Sequence, residues 1–144
     1  MADPLLAVEG LRVEFATDGG TVLAVDGIDL SIERGQTLAL VGESGCGKSM
    51  TALAVMGLVP EPAGRVAAGS IRFAGTELTT LASAERRAYR GARIAMIFQE
   101  PMTSLNPAFT IGDQIGEGLM RHRGLSRQAA QLKNASVCCA PVTC

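Results

Sequence analysis

The sequence predicts an α/β protein in which an antiparallel β region precedes a strand–loop–helix unit. Three observations carry this expectation. Short apolar or alternating runs fill the first 32 residues; one wholly apolar run, Leu38-Ala39-Leu40-Val41, has the pattern of a strand buried on both faces; and a glycine-rich turn at 42–47 leads directly into an apolar stretch from Lys48.

The early strands are expected at Leu5–Val8, Leu11–Phe15, Val22–Val25 and Ile28–Ile32. Asp18-Gly19-Gly20 reads as the hairpin turn between the second and third, and Glu33-Arg34-Gly35 as another turn. A helix is predicted from Lys48 to Met56, apolar nearly all round and therefore buried. Gly57 stands as its C-terminal stop, with Pro60 and Pro62 beyond it. A short strand follows at Ile71–Phe73, then a charged, Ala-rich helical stretch over Leu81–Arg93. A second buried-type strand is read at Ile94–Phe98, ending at Gln99. Beyond Pro107, Thr110 and Asp113 form a capping pair for a helix carrying Ile111, Ile115 and Leu119 on one side. Ser126 is placed to cap one more helix.

Composition limits the function classes. The 144 residues are 47% hydrophobic, which suits a globular core, and 13 basic against 14 acidic residues leave no electrostatic footprint for nucleic acid. An aromatic share of 3% without Trp argues against base-stacking platforms. The most apolar run, Met50–Val59, stops at Pro60, well short of the ~20 residues that cross a bilayer. The acidic start at Asp3 lacks the basic and apolar segments of a secretory signal, so a cytosolic chain is expected. Cys138, Cys139, Cys144 and the remote His122 lack zinc-ligand spacing, and the thiols are read as reduced.

The chemistry concentrates in Gly42-Glu43-Ser44-Gly45-Cys46-Gly47-Lys48-Ser49, which meets G-x-x-x-x-G-K-[ST] at every fixed position. A polyphosphate needs many donors converging on a small volume, and successive backbone N–H groups supply them only where the chain wraps around it. Gly42, Gly45 and Gly47 permit that close approach. The helix beginning at Lys48 adds unpaired N–H groups and its positive dipole end. Lys48 is expected to reach the β- and γ-phosphates, Ser49 to hold Mg²⁺ through its hydroxyl, and Met50 to complete the set of residues around the nucleotide.

The flanking residues choose among phosphate-binding families. Gly42–Ser49 resembles the Walker A loop of ATP-binding cassette (ABC) transporter ATPases. Ile94-Ala95-Met96-Ile97-Phe98-Gln99-Glu100-Pro101 is similar to the strand and Q-loop of that family. Met102-Thr103-Ser104-Leu105-Asn106-Pro107 and Val22-Leu23-Ala24-Val25-Asp26-Gly27-Ile28 resemble the oligopeptide and dipeptide importer branch, which also takes nickel. No Asn-Lys-x-Asp guanine reader stands in the chain, which places a GTPase or nucleotide kinase last.

The resemblance implies a P-loop NTPase with a RecA-like core and an N-terminal antiparallel β subdomain. It implies ATP and Mg²⁺ as cofactors, with hydrolysis coupled to import of peptides or similar small solutes through membrane permease subunits. Phe15 takes the place of the aromatic that stacks on adenine, against a plain reading as a packed strand residue. Gln99 takes that of the glutamine contacting Mg²⁺ and the attacking water, which with Lys48 makes up the expected catalytic set. The segment Glu100–Pro107 would face the permease, and a second ATPase subunit, identical or not, would complete the assembly. The implied location is peripheral, on the cytoplasmic face of the cell membrane.

The match runs from about Leu5 to Gln131, so 1–131 is expected to be the N-terminal part of a nucleotide-binding domain. Leu132–Cys144, LKNASVCCAPVTC, is expected to be an atypical tail. The family's serine-glycine-glycine signature, its Walker B Asp-Glu strand end and its switch histidine do not follow Gln131. Truncation before these elements is the reading, with nucleotide binding but no hydrolysis expected of this chain. The alternative is a non-catalytic or unfolded remnant.

Overall fold

The computed structural model describes residues 3–99 and 105–138, with side chains described as far as 133. The chain divides into two compact units, residues 1–87 and 88–144, and each is treated by itself.

The first unit is built on a four-stranded antiparallel sheet. Strand β1 (Leu6–Thr17) runs between β2 (Gly20–Ile32) and β3 (Gly64–Phe73), and β4 (Thr76–Glu77) adds a short outer strand beside β3. The two strands expected on each side of the hairpin are one long strand each. What joins them is a set of bulges, where one strand carries an extra residue and bends. Gly10, at φ +57°, is the extra residue of β1 between the pairs Val8–Leu30 and Leu11–Ile28, and its N–H donates to Asp29 Oδ1 at 2.6 Å. The hairpin turns at Asp18-Gly19, as expected, and the Thr17 hydroxyl donates to the Gly20 carbonyl at 2.7 Å.

Around these bulges the alternation of β1 survives. Val8, Leu11 and Val13 are buried, while Arg12 and Glu14 face outward and pair across the strands with Asp26 and Arg65. Helix α1 (Lys48–Met56) packs on β1 and β2, burying Thr51, Ala54 and Met56. It has the bounds the sequence predicts. Gly57 closes it at φ +63°, ψ +40°, donating to the Ala54 carbonyl while Leu58 N–H bonds back to Leu53. Leu78 and Ile71 complete this core.

The carboxylate of Glu77 ties down the β3–β4 corner. It accepts from the Ser70 hydroxyl, from the N–H groups of Ile71 and Thr79, both at 3.0 Å, and from the Thr79 hydroxyl at 2.5 Å.

Helix α2 (Ser83–Tyr89) is shorter than the helical stretch expected over Leu81–Arg93. In the second unit, helices α3 (Ile111–Arg123) and α4 (Arg127–Cys138) pack on each other, and Asp113 and Arg127 form an ion pair between them at 3.3 Å. Thr110 caps α3 as predicted: its hydroxyl accepts from Asp113 N–H at 3.1 Å and donates to Asp113 Oδ2 at 2.7 Å. Ser126 Oγ accepts from Ala129 N–H at 3.3 Å at the start of α4.

Two strand expectations are corrected. Leu38–Val41 carries no strand ladder, and Val41 is 94% exposed. Over Ile94–Phe98 only an isolated bridge between Arg90 and Ile94 forms, and Ile97 is also 94% exposed. A strand of the doubly buried type exists only between hydrogen-bonded neighbours. Among the described residues of each unit no strand runs alongside these two.

Candidate functional site

Gly42–Ser49 forms a tight curl at the mouth of α1. The Lys48 ammonium folds back over the curl, donating to the carbonyls of Gly42 at 2.8 Å and Glu43 at 2.6 Å and to Cys46 Sγ at 3.2 Å. Cys46 N–H bonds to the Glu43 carbonyl at 3.4 Å. The loop therefore closes on itself, and residues Gly42 to Cys46 remain exposed to solvent.

Gly47 is required by this shape, whereas Gly42 is crowded only by a side chain. A Cβ at Gly42 would lie 2.6 Å from Cys46 Sγ. At Gly47, held at φ +89°, a Cβ would lie 2.6 Å from the Ala24 carbonyl oxygen and 3.3 Å from Val25 Cγ2. Ala24 is itself the extra residue of a bulge, because β2 advances two residues where β1 advances one between the pairs Val13–Val25 and Glu14–Leu23. The Ala24 carbonyl oxygen at this bulge thus stands against the loop.

Gly47 also occupies the N-cap of α1, and no side chain caps that end. The leading N–H groups of α1 and the dipole behind them therefore face the loop with a cation, Lys48, beside them. Ser49 is exposed in this first turn and Met50 half-buried. Such an arrangement holds an anion with several oxygens, and the backbone packed against Gly47 leaves no room for a side chain there. The residues fit a polyphosphate.

Cys46 responds to the same cation. The Lys48 ammonium hydrogen-bonded to its sulfur holds the thiol below its ordinary range, against a smaller opposing effect of desolvation.

Phe15 lies in the same unit as the loop, half-buried near the end of β1 and opposite Val22, beside the Ala24 bulge. Its ring rests on Gly64, where a Cβ would come within 2.6 Å of Cε1 and 2.8 Å of Cζ. The packing half of the two readings of Phe15 thus has a concrete partner.

Gln99 belongs to the second unit, exposed at the end of an irregular stretch. Of the segment Glu100–Pro107, residues 100–104 lie outside the described residues. Leu105, Asn106 and Pro107 are exposed, and Gln114 clamps Asn106 by accepting its N–H and donating to its carbonyl, both at 2.9 Å.

Two residues around the loop were not singled out from the sequence. Thr51 is a hydroxyl in an otherwise apolar run, a visible signal, whereas the bulge at Ala24 depends on register and left no mark in the residue types.

Comparison with known proteins adds an independent line. The chain is 50% identical over 129 residues to the dipeptide transport ATP-binding protein DppD of Bacillus subtilis (strain 168), a match covering 90% of this chain and 38% of that protein. It is 47% identical over 127 residues to the oligopeptide transport ATP-binding protein OppD of the same organism, covering 88% and 36%. The chain thus spans well under half the length of these relatives. Among solved structures, the dimeric post-hydrolysis state of the ATP-binding cassette MJ0796 bound to ADP and Pi shares the fold, with a TM-score of 0.77 at 19% identity over 91% of this chain and 54% of that one. The sequence model of the ABC transporter family matches residues 25–138, from the end of the β2 bulge through α4. With the strand-supported phosphate curl in place and most of its length matched, this chain belongs to the ABC transporter family.

Proposed function

We propose that this chain is the nucleotide-binding portion of an ATPase subunit that drives import of peptides or similar small solutes through membrane permease subunits. The single observation that carries the reading is the closed curl of Gly42–Ser49, with Gly47 seated on the β2 bulge and Lys48 across its mouth. The names of the relatives supply the peptide-import part.

In this reading the N–H groups of the loop and of the α1 N-terminus hold the phosphates of ATP, and Lys48 exchanges its two carbonyl partners for phosphate oxygens. Ser49 holds Mg²⁺, which neutralises phosphate charge when bound. Phe15 offers its ring to the adenine and Gln99 serves Mg²⁺ and water. The segment Glu100–Pro107 meets the permease on the cytoplasmic face of the membrane, and a second ATPase subunit pairs with the chain. Residues 1–131 belong to the family's domain, and the family match and helix α4 carry it on to Cys138.

For the loop itself we infer nucleotide binding. Hydrolysis requires a carboxylate to polarise water and another near Mg²⁺. A second reading, a remnant that does not hold its fold, is favoured by the exposure of Val41 and Ile97.

A melting experiment with and without Mg-ATP tests both, since a ligand of the native state raises its stability. The expected result is a cooperative transition raised by Mg-ATP in the unsubstituted chain and unmoved in Lys48→Ala. An equal shift in that variant overturns the phosphate-loop reading, and the absence of any transition favours the remnant.

A further inference from the structure

Thr51 is the buried polar residue of the core among the described residues, 4% exposed in a helix whose other buried positions are Ala54 and Met56. Its backbone N–H donates to the Gly47 carbonyl at 2.8 Å and its hydroxyl donates to the same oxygen at 2.9 Å. Gly47 is thereby fixed from two directions. Its carbonyl is held by two donors on the helix side, and its Cα face rests on the Ala24 carbonyl of β2, closer than any side chain would allow.

The consequence follows from peptide geometry. In a trans peptide the carbonyl and the next N–H point in opposite directions across one rigid plane. Fixing the Gly47 oxygen toward the helix therefore fixes the Lys48 N–H toward the loop. An anion accepting from that N–H polarises the same peptide and makes its carbonyl a better acceptor, so the Thr51 hydroxyl bond strengthens when the anion is bound. That difference between the two states links a buried threonine to affinity.

We propose that Thr51 is a positioning residue of the phosphate loop, its hydroxyl setting the Gly47–Lys48 peptide plane so that the Lys48 N–H serves the phosphates. This rests on the nucleotide reading above. The competing account is that the hydroxyl merely satisfies itself on the carbonyl one turn back, as buried Ser and Thr in helices often do. The two differ in what they move: self-satisfaction affects stability alone, while positioning affects affinity for phosphate.

The test compares Thr51→Val, which keeps the shape and loses the hydroxyl, with Thr51→Ser, which keeps the hydroxyl and loses the methyl. Calorimetric titration of the full chain with Mg-ATP and with magnesium tripolyphosphate reads the affinity, and urea unfolding without ligand reads stability. Thr51→Val is expected to weaken both ligands by up to about fivefold, the limit set by the worth of one net hydrogen bond because only the part gained on binding enters the affinity, with Thr51→Ser recovering most of the loss. The equal loss on tripolyphosphate locates the effect at the phosphates rather than the base.

Unchanged affinity in Thr51→Val overturns the role while leaving the nucleotide reading intact. So does a loss in Thr51→Ser as large as that in Thr51→Val, because packing would then be the cause. If Thr51→Val does not fold, the serine variant alone decides: near-parental affinity supports the role and a fivefold loss overturns it. Failure of the unsubstituted chain to bind either ligand overturns the nucleotide reading and this role with it.

Discussion

The Lys48 ammonium donates a 3.2 Å hydrogen bond to the sulfur of Cys46, two residues before it in the loop. One cation thus serves both the loop carbonyls and a thiol, and the thiol reports on it. The bond favours thiolate, so Cys46 is held below the ordinary thiol range. Its alkylation by iodoacetamide, followed by peptide mapping, is expected to reach its plateau at lower pH than that of a free cysteine. Lys48→Met should move the profile upward in pH. A profile that does not respond to this substitution would show that the contact does not govern the thiol.

Glu77 gives a stability prediction with a definite pH window. Burial pushes its pKa up, but hydrogen bonds from the Ser70 and Thr79 hydroxyls and from the N–H groups of Ile71 and Thr79 together outweigh it, and the value falls from 4.5 to about 2. A depressed folded-state value means that the stabilisation is complete above pH 4.5 and is lost as pH falls toward 2. Glu77→Gln keeps the shape but weakens hydrogen bonds made to a charge, and should cost on the order of 1–2 kcal/mol at neutral pH. Urea unfolding at pH 7 and pH 3 should show the parent and variant converging at the lower pH.

Gly47→Ala should fail twice. The new methyl would meet the Ala24 carbonyl oxygen, and the residue would be held at φ +89°. A cost on the order of 1–3 kcal/mol follows from the strained backbone alone. Loss of Mg-ATP binding should accompany it, checked by urea unfolding and calorimetry together. A variant that binds normally would mean that the loop does not depend on its contact with β2.

Thr110→Ala removes the cap of α3. The expected cost is about 1 kcal/mol, read as faster amide hydrogen exchange through the first turn of that helix. Asp113 should titrate closer to its ordinary range in this variant, because the Thr110 hydroxyl is the leading cause of its lowered pKa, ahead of the opposing desolvation and the nearby Arg127. An NMR titration of the Asp113 carboxylate measures this.

The elements legible in the sequence were those whose signals are local. The bounds of α1 follow from a glycine at each end, and the caps Thr110 and Ser126 from short polar side chains before periodic runs. The phosphate curl was legible because its glycines, Lys48 and Ser49 lie within eight positions, although the Ala24 carbonyl that seats Gly47 does not. What the residue types did not reveal depends on partners distant in sequence. Gly10 and Ala24 look unremarkable until β1 and β2 are paired, and only then become bulges. Leu38–Val41 has strand composition, but composition cannot supply a neighbouring ladder. The Glu77 network likewise needs Ser70, seven residues away, brought beside it by the β3–β4 corner.

The seating of Gly47 on Ala24 carries a consequence for how this chain tolerates insertions and deletions. Carbonyls along a strand alternate between its two edges, so adding or deleting a single residue between Gly20 and Ala24 would disturb the register that places this one against Gly47. The phosphate curl would then be spoiled by an edit about twenty residues upstream, in a segment that need never touch a ligand. Length changes at the Asp18-Gly19 tip, outside the paired strands, would leave the register and the curl untouched.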